Sequence, residues 1–296
     1  MIKEKHFGPI WFIPGKNNGK YPCCHSIYIE GDGVLIDPAS DLERLVELKA
    51  GPGVREVWLS HWHEDHFMHL DLFEDRPLGI SKIETPPLSD LDIFLDWYGL
   101  DIPEYRDQWR QLLLDQFHFQ PRVPSRLFEG NEVLTLSSVT VEVIHSPGHT
   151  PGHLAFFFRE PGVLFLGDYD LGKFGPWYGD RESSIEDTIS SVRRLKEIPA
   201  HTWITGHETG LYERDPAEDW DRYLGVIEER EGKLFQYLAQ PRTMEEIVSK
   251  WFIYQKPREP AAFFEFGERA MMRKHLERLL NERRISQEDD HYRVIR

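Results

Sequence analysis

In the stretch SHWHEDHFMH (residues 60–69), His61, His63, Asp65, His66 and His69 fall within ten positions, directly behind the apolar run VREVWLS. Histidines two apart at the end of a strand point to the same side of the chain, so His61 and His63 can converge on one metal ion. Asp65 and His66 lie where the chain turns toward the next helix and can reach a second ion nearby. Imidazole and carboxylate together suit zinc, iron or manganese.

More ligand-type side chains stand at the ends of other strand-like segments. SPGHTPGH (146–153) sets His149 in a loop shaped by Pro and Gly, LFLGDYD (164–170) ends a strand with Gly167-Asp168, and WITGHE (203–208) ends another with Gly206-His207. A glycine at such a point lets the backbone pack closely while the next side chain is aimed outward.

The elements that must position these residues read as follows. GPIWFI (8–13), SIYIE (26–30) and GVLID (33–37) have strand character, and GDG (31–33) turns the last two into a hairpin. DLERLVELKA (41–50) is a helix capped by Asp41 and stopped by Gly51-Pro52-Gly53, and 54–60 is a buried strand. An aromatic-rich insert at 88–119 holds two helix-like stretches, 88–100 and 104–119, and suits a helical layer or a lid. Strands follow between 132 and 167, then a helix at 183–198 and a strand at 201–206. From residue 213 the texture changes to a helix reaching about 239, a capping box at Thr243 and Glu246, a strong helix at 268–285 and a terminal β-pair. Three helices and a β-pair form a winged-helix pattern, which predicts domains at 1–212 and 213–296.

Composition bounds the partners. The 296 residues are 40% hydrophobic and 29% charged, as in an ordinary globular chain, with 18 Phe and nine Trp for a core and an aromatic-lined pocket. The net charge is −16, and residues 213–296 hold 16 Lys and Arg against 18 Asp and Glu, so the first 212 residues carry −14. Such an acidic body disfavours loose nucleic-acid binding, which rests on neutralising phosphates. Cys23 and Cys24 are adjacent, which excludes a disulfide framework. The first residues, MIKEKHFGPIWFIPG, lack the apolar core of a signal peptide, and no run approaches a membrane span, so a cytoplasmic protein without membrane contact is expected.

Taken together, the four motifs resemble the metallo-β-lactamase superfamily over most of residues 8–212, with a glyoxalase II-like ligand set. The resemblance implies an α/β fold, a four-layer αββα sandwich with a site along one edge, plus a small, mainly helical tail. It implies that His61, His63 and His149 hold the first ion, that Asp65, His66 and His207 hold the second, and that Asp168 bridges them. Two divalent ions, zinc foremost with iron or manganese as alternatives, would share a hydroxide for hydrolysis, with Asp65 and Asp168 as the catalytic carboxylates. His69, His145 and His153 match no ligand position and are expected to be structural. Asp37 matches an acidic position that supports a ligand histidine. In the loop 169–180, Tyr169, Trp177, Tyr178 and Lys173 are equally open to an oxyanion contact or to plain packing.

Branches of this superfamily cleave thioesters, lactones or RNA. An acid at position 65 argues against antibiotic hydrolysis, and the absence of a flavodoxin-like segment argues against the oxygen-reducing diiron branch. The expected protein is a hydrolase of a small ester, thioester or lactone. The alternatives are an endoribonuclease acting on single-stranded RNA and, last, a non-enzymatic metal-stabilised regulator. The near-neutral tail suits packing or homodimerisation better than nucleic-acid binding.

Overall fold

The computed structural model describes residues 2–295. Seven strands form the first sheet in chain order: β1 (Lys5–Phe7), β2 (Ile10–Ile13), β3 (Ser26–Ile29), β4 (Val34–Ile36), β5 (Glu56–Trp58), β6 (Leu78–Ser81) and β7 (Arg126–Phe128). The pairs from β1 to β4 are antiparallel and those from β4 to β7 parallel. The second sheet contains β8 (Glu132–Thr135), β9 (Thr140–His145), β10 (Leu154–Phe158), β11 (Val163–Phe165), β12 (Thr202–Ile204) and β13 (Leu211–Tyr212), again neighbours in chain order. Only β11 and β12 run parallel there, because the helix Ile185–Lys196 lies between them in the chain.

Strand alternation explains the layers. On β2, β3, β4, β10 and β11 one set of side chains (Ile10, Phe12, Ile27, Ile29, Val34, Ile36, Leu154, Phe156, Phe158, Val163, Phe165) meets between the sheets. The intervening residues face the helices instead. Trp11, Tyr28 and Leu35 pack into one outer core with Leu45 and Leu48 of the helix Leu42–Ala50. Ala155, Phe157 and Leu164 pack into the other with Val192 and Leu195. The result is helix, sheet, sheet, helix, as the resemblance implied.

The insert is a helical layer on the first sheet, and its helices are Leu91–Tyr98 and Pro103–Asp115. The expected helix at 88–100 is split at Asp90, whose extended backbone and carboxylate cap the second piece through Asp92 N and Ile93 N. β6 and β7 flank this insert and were not anticipated. They are short and lack a sequence alternation strong enough to separate them from loop.

The C-terminal residues form the helices Ala217–Tyr237, Met244–Val248 and Ala261–Asn281, with a small sheet of β14 (Arg242–Thr243), β15 (Ile285–Glu288) and β16 (His291–Val294) in the order β14-β16-β15. The last helix starts at Ala261 rather than near 268, because Phe263, Phe264 and Phe266 pack in its first turns. The helix after the Thr243–Glu246 capping box stops at Val248, and Trp251 then turns with φ +54°. These elements do not stand apart from the sandwich. Arg230 donates to the carbonyls of Phe174 and Pro176 and to Tyr178 Oη, and Tyr223 Oη donates to the carbonyl of Asp168.

Phe156 is fully buried between the sheets, against Trp58 and Phe128. Phe156→Ala is expected to destabilise the fold by about 3–5 kcal/mol. Urea titration should show a lower midpoint at unchanged slope.

Candidate metal centre

Three strands of the two sheets, β5, β11 and β12, end at the same edge. His61 and His63 follow β5, Asp168 follows β11, His207 follows β12, and His149 sits in the loop from β9 to β10. The structure brings all seven residues of the motifs together. The ligand atoms of His61, His63, His149 and Asp168 lie within 4.8 Å of one another, and so do those of Asp65, His66 and His207. Asp168 joins the two groups. Its Oδ2 is 3.8 Å from His61 Nε2 and 3.4 Å from His149 Nε2, while its Oδ1 is 2.8 Å from His66 Nε2 and 3.4 Å from His207 Nε2. Asp65 Oδ2 is 3.3 Å from His207 Nε2.

The ring nitrogens facing away from this centre are all engaged. Ser60 Oγ donates to Asp37 Oδ2 at 2.7 Å, which leaves it to accept from His61 Nδ1 at 2.9 Å. Asp37 Oδ2 also takes His66 Nδ1 at 2.9 Å, while its Oδ1 accepts from Ser60 N. One buried carboxylate therefore sets the tautomers of two histidines. His63 Nε2 donates to Asp180 Oδ2 (2.7 Å), His149 Nδ1 to Trp177 O (3.2 Å) and His207 Nδ1 to Gly19 O (2.7 Å).

That leaves five imidazole lone pairs pointing inward. His149 Nε2 stands only 3.1 Å from His61 Nε2 and 3.0 Å from His63 Nδ1, acceptor against acceptor. His66 Nε2 and Asp168 Oδ1 are buried and have no hydrogen-bond partner. Lone pairs so close are repulsive unless cations lie between them, so the donor set fits two divalent ions. The electrostatics agree. Burial depresses His66 and His207, but Asp168 overrides it and raises both well above the usual histidine range. Burial pushes His149 down to about 4, and burial with the neighbouring imidazoles holds His61 well below its ordinary value. Burial also opposes charge on His63, yet Asp180 raises it to about 9. The pocket demands positive charge at its centre.

Backbone fit matters at Gly206, where a Cβ would come within 2.6 Å of Asp168 Oδ1 and 3.1 Å of His66 Cε1. No other residue leaves room for the centre there.

The remaining candidates separate cleanly. His69 belongs to neither ligand group. His145 bonds to Pro151 O, and His153 bonds to Ser146 Oγ while accepting from Asp168 N at 3.1 Å, so it holds the backbone of Asp168 in place. Tyr169 Oη donates to the loop carbonyls of Ser146 and Pro147, and Tyr178 Oη meets His275, so neither hydroxyl faces the centre. Lys173 is exposed, whereas Trp177 lines the cavity.

Above the centre lies a cavity of about 470 Å³, bordered by His63, Asp65, His149, Asp168 and His207 and walled by aromatic side chains. Three acidic residues around the centre and its cavity escaped the sequence reading. Asp180 is marked only by being the acid that closes the Gly-rich loop. Glu64 is buried, accepts from Tyr21 Oη (2.9 Å) and Tyr98 Oη (2.5 Å), and is raised to about 7 by burial and by Asp65. Burial likewise raises Asp170 to about 7, and Asp170 Oδ1 accepts from His207 N.

A family model described as "Metallo-beta-lactamase superfamily" matches residues 24–207, which include all seven centre residues. The chain belongs to the metallo-β-lactamase superfamily. It is 30% identical over 184 residues to a hydroxyacylglutathione hydrolase (GloC) of Haemophilus influenzae, covering 60% of this chain and 81% of that protein. It is 29% identical over 177 residues to the acyl-coenzyme A thioesterase MBLAC2 of Gallus gallus, covering 58% of each. A β-lactamase-like protein 2 homolog of Drosophila melanogaster is 24% identical, and this chain spans 54% of it. The chain thus spans little more than half the length of the last two relatives. Among solved structures, the metallo-beta-lactamase family protein TTHA1429 of Thermus thermophilus superposes with a TM-score of 0.70 at 21% identity, over 97% of this chain and 98% of the other. That superposition shows a shared fold that includes the C-terminal helices. Within this superfamily, beside relatives named as hydrolases, the protein is a hydrolase with a centre suited to two metal ions. Among the described residues no helix is long and apolar enough to cross a membrane.

Asp180→Asn keeps the shape but loses the charge that orients His63. Metal affinity at the His61–His63–His149 group is expected to fall roughly 10- to 100-fold. Chelator competition followed by elemental analysis measures it.

Proposed function

We propose that the protein is a dinuclear metal-dependent thioesterase acting on a small-molecule acyl thioester. The observation that carries the dinuclear part is Asp168, with one carboxylate oxygen turned toward each ligand group. Relatives named as a hydroxyacylglutathione hydrolase and an acyl-coenzyme A thioesterase support thioesters over other esters and lactones. His61, His63 and His149 would hold one ion, and Asp65, His66 and His207 the other, with Asp168 shared. Zinc suits five imidazoles and two carboxylates, and iron or manganese accept the same donors. Bound there, the ions supply Lewis-acid polarisation of the acyl oxygen and activation of water.

The chain's own groups do the rest. Asp37, through His66 and through Ser60 to His61, keeps the lone pairs of both ligand groups aimed inward. Asp65, bordering the cavity, orients the attacking water and takes its proton on a carboxylate oxygen. The aromatic walls limit bulk water around the acyl group. A thiol leaves with a pKa of about 8.5, so the departing sulfur needs no strong acid beside it.

We read residues 213–296 as a winged-helix-like module packed on a catalytic domain of residues 1–212. Its work is to build the cavity wall, since Tyr254, Arg258, Phe263, Phe264 and Phe266 all border the space above the centre. Two free adjacent thiols, Cys23 and Cys24, suit the reducing cytoplasm.

The test is a thiol-release assay on a panel of acyl thioesters with metal-loaded protein. Turnover is expected, together with about two ions per chain, and His61→Ala, Asp168→Ala and His207→Ala are each expected to abolish it. Cleavage of single-stranded RNA with no thioester turnover would overturn the proposal in favour of a nuclease.

A further inference from the structure

Beside the cavity over the metal centre lies a second space of about 390 Å³. The two share Tyr21, Trp109, Phe263 and Phe264 as a common wall. Beyond that wall, Leu112 and Ala262 continue the apolar lining, and Gln108 is its only amide. The hydroxyl of Tyr21 is already spent on Glu64, and the indole N–H of Trp109 on Ala262 O at 2.8 Å. These shared side chains, which line both spaces, pack on one another. Phe263 stacks on Trp109 at 5.6 Å with an interplanar angle of 16°, and Tyr21 packs against its other neighbours at 5.0 Å from Phe263 and 6.0 Å from Phe117.

This side chamber has the volume of a small-ligand pocket and nothing in it to bind a charge. A charged thiol carrier would lose its hydration there without compensation. The cavity over the centre differs. It is bordered by Lys20 and Arg258, neither of which has an ion-pair partner among the described residues, and Arg258 lies over the rings of Tyr254 and Phe264. Glu64, Asp65, Asp168, Asp170 and Glu208 also border it, and among the described residues Lys20 and Arg258 are the only Lys or Arg side chains that do.

Resting on the thioesterase reading, we infer that the substrate is a thioester with a long or aromatic apolar acyl group, received by the chamber behind Trp109 and Phe263, and an anionic thiol carrier, which stays beside Lys20 and Arg258. Coenzyme A and glutathione share that carrier chemistry. The insert and the C-terminal helix, which supply Trp109, Leu112, Ala262 and Phe263, thereby become determinants of acyl selectivity.

The experiment has two readouts. In the first, kcat/KM is measured for acetyl to dodecanoyl thioesters of coenzyme A, of glutathione and of neutral N-acetylcysteamine. The value should climb by roughly fourfold per added methylene until the chamber is full. Leu112→Trp should lower the ratio of decanoyl to acetyl kcat/KM at least tenfold, and Phe263→Ala should move the optimum to longer chains. Arg258→Gln should raise KM severalfold more on the better anionic carrier than on N-acetylcysteamine; an equal change in both would overturn the role of Arg258 in holding the carrier. In the second readout, non-hydrolysable S-decyl and S-methyl derivatives of both carriers are titrated by calorimetry. S-decyl binding should be at least tenfold tighter, and Leu112→Trp should remove the difference while the circular dichroism spectrum is retained.

A flat chain-length profile with acetyl thioesters turned over would overturn the chamber and leave the thioesterase reading intact. Absence of turnover at every length, with the S-decyl preference retained, would overturn thioester hydrolysis and uphold the chamber as an apolar ligand site. Equal binding of S-methyl and S-decyl derivatives would overturn the chamber whatever the turnover.

Discussion

Everything in this fold depends on holding five imidazole lone pairs and two carboxylates face to face. Adjacent acceptor atoms come within 3.0 Å, at His149 and His63. Such a cluster resists its own assembly, because each group is desolvated without a partner on its inward side. Its stability comes from the outward sides. Two carboxylates, one serine and backbone carbonyls from residues as distant in sequence as Gly19 and Trp177 tie down the opposite ring nitrogens. Those anchors are only as fixed as the strands they leave, and the strands are fixed by the apolar layer between the sheets. The dry core at Phe156 and Ile36 and the wet edge at Asp168 are two ends of one constraint.

The seven centre residues were legible in the sequence because ligand chemistry restricts residue type and strand ends restrict position. An apolar run, a glycine and a His or Asp is a local pattern, and it recurs at Asp168 and His207. Asp37 also follows an apolar strand, but its role as the support of a ligand histidine came from the resemblance and not from that pattern. Asp180 and Glu64 could not be read, since their importance lies in what they touch across the fold: Asp180 meets His63 over 117 residues, and Glu64 meets Tyr98 over 34. The long strands and amphipathic helices were also legible, while β6 and β7 were not. Each is held by its neighbours in the parallel half of the sheet, and three- or four-residue strands carry too little alternation to declare themselves. The first turns of the helix Ala261–Asn281 were missed because three phenylalanines there look like loop hydrophobics until the insert they cover is in place.

The division of labour follows chain order. Groups at the strand ends of the sandwich set the chemistry, whereas the walls around them come from the insert and the C-terminal elements. Trp109 of the insert donates to the backbone of Ala262, so the two late additions brace each other across the cavity mouth. Changes to these walls can alter which molecule enters without disturbing Asp37, Ser60 or Asp180.

Charge completes the picture. The chain carries −16 overall, which repels anions at long range. At the centre the balance reverses. Against burial, Asp168 raises His66 and His207, so the residues by themselves favour positive charge there. With neutral imidazoles as ligands, two divalent ions against the carboxylates of Asp65 and Asp168 would supply that charge instead and leave a local surplus. Burial raises Glu64 and Asp170 to about 7, so near neutral pH each opposes that surplus with only part of a charge. An anionic carrier therefore meets attraction only inside the cavity, at short range, where Lys20 and Arg258 extend the positive field toward solvent. Since screening weakens the distant repulsion more than the buried attraction, moderate salt should speed entry of such a substrate rather than oppose it.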